Sequence, residues 1–201
     1  MKTPPDLALL LLHALPLDGR MWERQLGILR DQTYSPDLYG FGESIKDWAT
    51  SCLELIPQKR IVVVGCSVGG SCALEVMSLA PDRVAAAVLV GTKARHDPNP
   101  AALAESCRMV ENHGVAAAWE RYWKPLFDQG AYKEAAQTAE EIALAQSANS
   151  LVNGLKSFHT RESREEILKQ SAIPIRIVTG DQDELPGLDY SRRLAELSSR
   201  K

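Results

Sequence analysis

Residues 62–70 read Val-Val-Val-Gly-Cys-Ser-Val-Gly-Gly, and an apolar helical pattern through Ala73, Leu74, Met77 and Leu79 follows at once. A β-branched run, a tight turn and a helical face in direct succession constrain the fold more than any other feature, because the chain must pass from strand to helix with no connecting loop. Ser67 stands at the apex of that turn, where the backbone is strained. The positions two before and two after it must lack side chains that would collide, and Gly65 and Gly69 meet that demand. The turn puts the Ser67 hydroxyl at the head of the helix, where the Val68 N–H can point at an oxyanion forming on a substrate. A G-x-S-x-G sequence also occurs in glycine-rich turns that only pack a helix on a strand, so the setting has to decide its meaning.

The rest of the chain has the matching alternation. Apolar runs at 7–12, 60–64, 84–90 and 173–179 are predicted to be buried strands, with a weaker one at 32–35, and 21–30, 45–56 and 68–79 are predicted to be helices. This pattern predicts an α/β fold, a mostly parallel sheet with helices on both faces. From about 93 to about 165 the alternation stops. Val115, Trp119, Tyr122 and Leu126, and again Ala148, Leu151, Leu155 and Phe158, recur at helical spacing, with Pro125 expected to end or kink the first helix. A helical insertion between two strands is expected to form a cap over one edge of the sheet. The 201 residues fit one domain at roughly 100–200 residues per domain.

Composition excludes several classes. Hydrophobic residues at 45% and charged residues at 24% mark an ordinary globular chain, and a net charge of −3 lacks the footprint of a nucleic-acid binder. The four cysteines, Cys52, Cys66, Cys72 and Cys107, form no CxxC pair, which favours free thiols and a cytoplasmic location. The 7–12 run behind Lys2 has the look of a signal-peptide core, but Pro4, Pro5 and Asp6 precede it and no A-x-A site follows. It is too short to span a bilayer, and a buried parallel strand accounts for it better. No membrane association is expected.

Two further motifs precede the turn. His13-Ala14-Leu15-Pro16 ends the first strand, and Pro36-Asp37-Leu38-Tyr39-Gly40-Phe41-Gly42-Glu43-Ser44 follows the weak one. In order and spacing these resemble the H-G-x-P and D-x-x-G-x-G-x-S motifs of the α/β-hydrolase superfamily, whose nucleophile turn comes next. The closest resemblance is to small lid-bearing esterases, enol-lactone hydrolases and cofactor-free haloperoxidase-like members, over residues 7–197. The resemblance implies Ser67 as nucleophile and the N–H groups of Val68 and Leu15 as the oxyanion hole. Ala14 replaces the family's usual glycine. The resemblance gives His13 a bracing role in its loop, and Asp37 is read as a turn anchor. Asp183, in Gly180-Asp181-Gln182-Asp183, resembles the acid that orients the catalytic histidine, with Asp181 as the fallback; a hydrated acidic loop would contain the same residues.

The sequence then departs from the family pattern. The base histidine is expected one helix and one strand beyond the acid, whereas this sequence ends directly after the helix at 188–197. The chain is therefore expected to be incomplete or impaired as a catalyst, either as a truncated hydrolase or as a member that has lost catalysis, and to associate through an open sheet edge. Among the other histidines, His159 could reach Ser67 only if the cap folds over it and is read as a surface or cap residue, and His96 and His113 receive no role. No metal-binding pattern and no phosphate-binding loop competes, so neither metal nor cofactor is expected. Cys66 is expected to point away from the site. Trp119, Tyr122 and Trp123 are expected to shape an apolar substrate pocket under the cap, with packing inside the cap as the alternative. Together these readings predict a serine hydrolase for a small, largely apolar ester, thioester or lactone. The alternative is a non-catalytic small-molecule binding protein on the same scaffold. The oligomeric state is not readable from the sequence.

Overall fold

The apolar run behind Asp6 forms β1 (Leu7–Leu12), buried at every position after Leu7 because it has strands on both sides and cover on both faces. The structure is a computed structural model and describes residues 6–127 and 133–198. β1 is joined by β2 (Thr33–Tyr34), β3 (Arg60–Cys66), β4 (Val84–Val90) and β5 (Ile175–Val178) in one parallel sheet of order β2-β1-β3-β4-β5. Leu12 pairs with Gly65, Cys66 with Val90, and Val90 with Val178, so four strands end level. The connection from β1 runs to one side and those from β3 and β4 to the other. This places a topological switch point between the carboxyl ends of β1 and β3, the usual position of a site in such sheets.

α1 (Ile45–Leu55) starts at Ser44, whose side chain accepts the Asp47 N–H, and buries Ile45, Trp48 and Cys52 against α2 (Val68–Leu79). α2 is buried from Val68 to Met77 because it lies between α1 and the sheet. Residues alternating toward α2, such as Ile61, Val63, Ala87 and Leu89, are fully buried, while the intervening Val62, Val64, Val88 and Val90 are only half-buried. The expectation that these two strands are buried on both sides is corrected there. α7 (Leu188–Ser198) packs on β5 and on α6 (Glu165–Gln170) through the buried Leu194 and Leu197. The predicted helix at 21–30 is corrected as well. Gly19–Gln25 is a 3-10 helix that buries none of its residues, and a second short one spans Arg30–Gln32, with Leu26 and Ile28 between them left exposed.

Between β4 and β5 the described chain is helical: α3 (Pro100–Ala118), a π-helical turn at Trp119–Trp123, a 3-10 turn at Lys124–Leu126, α4 (Lys133–Leu144), α5 (Ala148–Thr160) and α6. The predicted break at Pro125 falls in the 3-10 turn, but α3 also kinks earlier, at Gly114 with φ +83°. α3 packs on α5, and α5 packs on the 3-10 turn at Leu38–Phe41. Two polar links tie this layer to the strand ends. Gln146 Nε2 donates to Asp18 Oδ2 (2.6 Å), and the Arg164 N–H donates to the Ala94 carbonyl (2.7 Å). Among the described residues no helix is long and apolar enough to cross a membrane.

Candidate active site

Ser67 occupies the single position between β3 and α2, with φ +52° and ψ −116°, a conformation that a non-glycine residue holds only under constraint. The constraint is packing. A Cβ on Gly65 would fall on the Gly69 carbonyl, and one on Gly69 would fall on the carbonyls of Leu12 and His13. Main-chain hydrogen bonds set the turn against its neighbours. The Ser67 N–H donates to the Val90 carbonyl (2.9 Å), and the Gly91 N–H donates to the Val178 carbonyl (2.9 Å). The Thr92 hydroxyl donates to Val90 (3.1 Å) and reaches the Ser67 carbonyl (3.4 Å). The side chain of Ser67 does not cap its own helix, so the hydroxyl is left for the cavity in front of it.

That cavity has a volume of about 400 Å³ and lies between the strand ends and the helical layer. Leu15 and Val68 border it on the sheet side, and Tyr122, Trp123, Leu155 and Phe158 on the helical side. Among the described residues, no acceptor takes the N–H of Leu15 or of Val68. The Val68 N–H is one of the donors that the start of a helix leaves unpaired. Both residues border the cavity that Ser67 borders.

The loops around Ser67 are held by the two earlier motifs. His13 is fully buried and its Nε2 accepts the Leu38 N–H (2.9 Å), so its proton sits on Nδ1, facing the Ala14 carbonyl at 3.2 Å. Both ring nitrogens are thereby engaged in bracing the loop that carries Leu15. Asp37 accepts the Tyr39 N–H (3.1 Å) and starts the Leu38–Phe41 turn.

Asp183 is half-buried in the loop after β5. Its Oδ1 accepts the Leu185 N–H (2.8 Å), its Oδ2 accepts the Thr179 hydroxyl (3.3 Å), and the carboxylate lies beside Gly91. It borders a second cavity of about 550 Å³ that also reaches Ser67 and Trp123, whereas Asp181 is exposed. Cys66 borders the same cavity and does not turn fully away as expected. Burial, with Asp183 nearby, pushes its thiol up to about 11, so it is protonated and unreactive at neutral pH.

The three aromatics separate. Tyr122 and Trp123 line the cavity, while Trp119 is buried in the helical layer with its ring centroid 5.5 Å from that of Phe127. His159, read from sequence as a surface or cap histidine, is half-buried at the end of α5 and lines the cavity with Ser67. Burial, then Arg161 and His96, hold its pKa below the ordinary imidazole value. Among the described residues no hydrogen bond joins a histidine to the Ser67 hydroxyl or to Asp183. Arg161, which carried no expectation, is buried and also lines the cavity. In sequence it sits in a charged stretch, Arg161-Glu162-Ser163-Arg164, that gives no sign of burial.

Residues 8–159 match the alpha/beta hydrolase fold family. The chain belongs to that family. Alpha/beta hydrolases of known structure share the same frame. An esterase from Thermogutta terrifontis, solved with malate bound, superposes with a TM-score of 0.83 at 24% identity, over 96% of this chain and 78% of that one. The enol-lactonase from Burkholderia xenovorans LB400 gives 0.81 at 17% identity over 96% and 80%, and a bromoperoxidase from Bacillus anthracis 0.76 at 20% over 98% and 81%. Among curated proteins no relative matches this alpha/beta hydrolase. Among its described residues no three His, Cys, Asp or Glu side chains are grouped to hold a metal ion.

Proposed function

We propose that this alpha/beta hydrolase acts on a small, largely apolar ester, thioester or lactone through an acyl-enzyme on Ser67. The observation that carries the reading is the backbone of Ser67. A serine forced to φ +52° at a strand end, on a largely apolar cavity that Leu15 and Val68 also border, has structural cost and no structural use. In this reading the Ser67 oxygen attacks the carbonyl carbon and the carbonyl oxygen takes its charge against the N–H groups of Val68 and Leu15. The bond to the leaving group breaks as that group takes the serine proton, and water then releases the acid. Asp183 is the acid of the site, and Tyr122 and Trp123 shape the substrate pocket. The helical stretch at about 93–165 acts as the cap of a single domain, working without a cofactor in the reducing cytoplasm. Its binding partner is a small molecule rather than a nucleic acid or a membrane.

One observation favours a second reading, a small-molecule binding protein on the same scaffold: no histidine is hydrogen-bonded to Ser67 or Asp183 among the described residues. An oxyanion hole and binding alone still supply about 10³ to 10⁴-fold over water, so slow acylation is expected. Incubation with a fluorophosphonate probe, followed by peptide mass spectrometry, separates the two. An adduct on Ser67, absent from Ser67→Ala and retained in His159→Ala, supports the hydrolase. No adduct in the unaltered protein favours the binding protein, and loss of the adduct in His159→Ala would assign the proton transfer to that histidine.

A further inference from the structure

We propose that Arg161 forms an anion subsite inside the Ser67 cavity, so that the molecule bound there carries a carboxylate. The proposal deepens the reading of Ser67 as nucleophile by naming a substrate class, acid-bearing esters, thioesters or lactones. Arg161 is 9% exposed and lines the cavity that Ser67 lines. An arginine so buried is ordinarily paired with a carboxylate, because an unpaired buried charge is costly. Here, among the described residues, no ion pair joins it to a carboxylate. The neighbouring acids Glu75 and Glu162 are both taken by Arg164, at 2.7 and 2.6 Å. Glu105, at the cavity border, is exposed and forms no ion pair with Arg161.

Among the described residues the partners of Arg161 are neutral and leave most of its donors without an acceptor. One Nη1–H donates to the Phe158 carbonyl, and the guanidinium carbon lies 4.0 Å from the centre of the Phe158 ring. Its Nε–H is buried without an acceptor among the described residues. A guanidinium presents five N–H groups in a flat fork matched to a carboxylate. Burial lowers its pKa to about 10, with Tyr190 acting weakly the other way, so it stays cationic at neutral pH. Lys93 adds a second positive charge at the cavity border. The rest of the wall described above is largely apolar. A ligand with an apolar body and one anionic end satisfies both parts of such a wall.

The test is equilibrium binding by titration calorimetry, which needs no turnover. Succinate, glutarate and adipate are each compared with their neutral diamides, on the unaltered chain and on Arg161→Met and Arg161→Lys. At least one diacid is expected to bind about tenfold to hundredfold tighter than its diamide, the range of a charge-assisted hydrogen-bonded pair. The preference is expected to vanish in Arg161→Met and to persist in reduced form in Arg161→Lys. If no diacid outbinds its diamide on the unaltered chain, the proposal is overturned, whether or not the variants fold. A preference that survives Arg161→Met overturns it too. Diacid preference without a fluorophosphonate adduct on Ser67 would keep the subsite and discard the acyl-enzyme; an adduct without the preference would do the reverse.

Discussion

At the scale of single residues, the site depends on groups whose conformation or protonation the neighbours dictate. Gly65 and Gly69 are the clearest case, since a methyl group at either has only main-chain carbonyls to displace. Gly69→Ala is expected to lower stability by about 1–3 kcal/mol or more, measured by urea unfolding, because backbone cannot move aside as a side-chain tip can. Both glycines could be assigned from the sequence, since their need follows from local sterics alone, and so could the bracing role of His13 and the anchoring role of Asp37. His159 and Arg161 could not. Their burial comes from α5 lying across the strand ends, a tertiary event that leaves no periodic mark in a charged stretch. His159 also has a testable pH signature. Its folded pKa lies below the ordinary imidazole value of 6.5, so the unfolded chain binds its proton first as pH falls. Its contribution to stability is complete above 6.5 and is lost as pH falls through the folded value. Thermal midpoints taken from pH 8 to pH 5 are expected to decline below 6.5, and His159→Gln to flatten that part of the decline.

At the scale of elements, local sequence matched structure where a strand or helix buries a regular face. β1, β4 and α2 fall where the apolar pattern places them, while the predicted helix at 21–30 is replaced by short 3-10 turns that bury none of their residues. The Gly114 kink and the π-helical turn at Trp119–Trp123 were hidden for the opposite reason. Their residues have adequate helical periodicity, and packing between α3 and α5 overrides it. The Asp18 cluster is the polar counterpart of that packing. Burial alone would raise its pKa, but hydrogen bonds from Arg20 and Gln146, with the Arg20 charge, hold the carboxyl below its ordinary value of 3.8. The stability it contributes is present above pH 3.8 and is lost as pH falls through the lower folded value. Gln146→Ala is expected to cost about 1 kcal/mol and to raise hydrogen exchange first in α4, since it removes the link between that end of the helical layer and the loop after β1. Unchanged exchange in α4 would mean that apolar packing alone holds it.

At the scale of the whole molecule, the parallel order of the sheet could be anticipated from alternating strands and helices, but its uneven cover could not. The face toward α2 is closed, whereas Val88 and Val90 are half-buried and Val178 on the edge strand β5 is 47% exposed. Amide exchange is therefore expected to be slowest in β1 and β3 and markedly faster in β5, which among the described residues pairs with β4 alone. Equal protection across the five strands would contradict this uneven cover. The level strand ends have a different consequence. Ser67 is held to β4 and Gly91 to β5 by peptide groups, so the spacing between the serine turn and the Asp183 loop is set by main chain that every sequence possesses. Such a frame acts as a socket: the side chains facing the cavity can be exchanged for others, and so redirected to another substrate, without moving the serine.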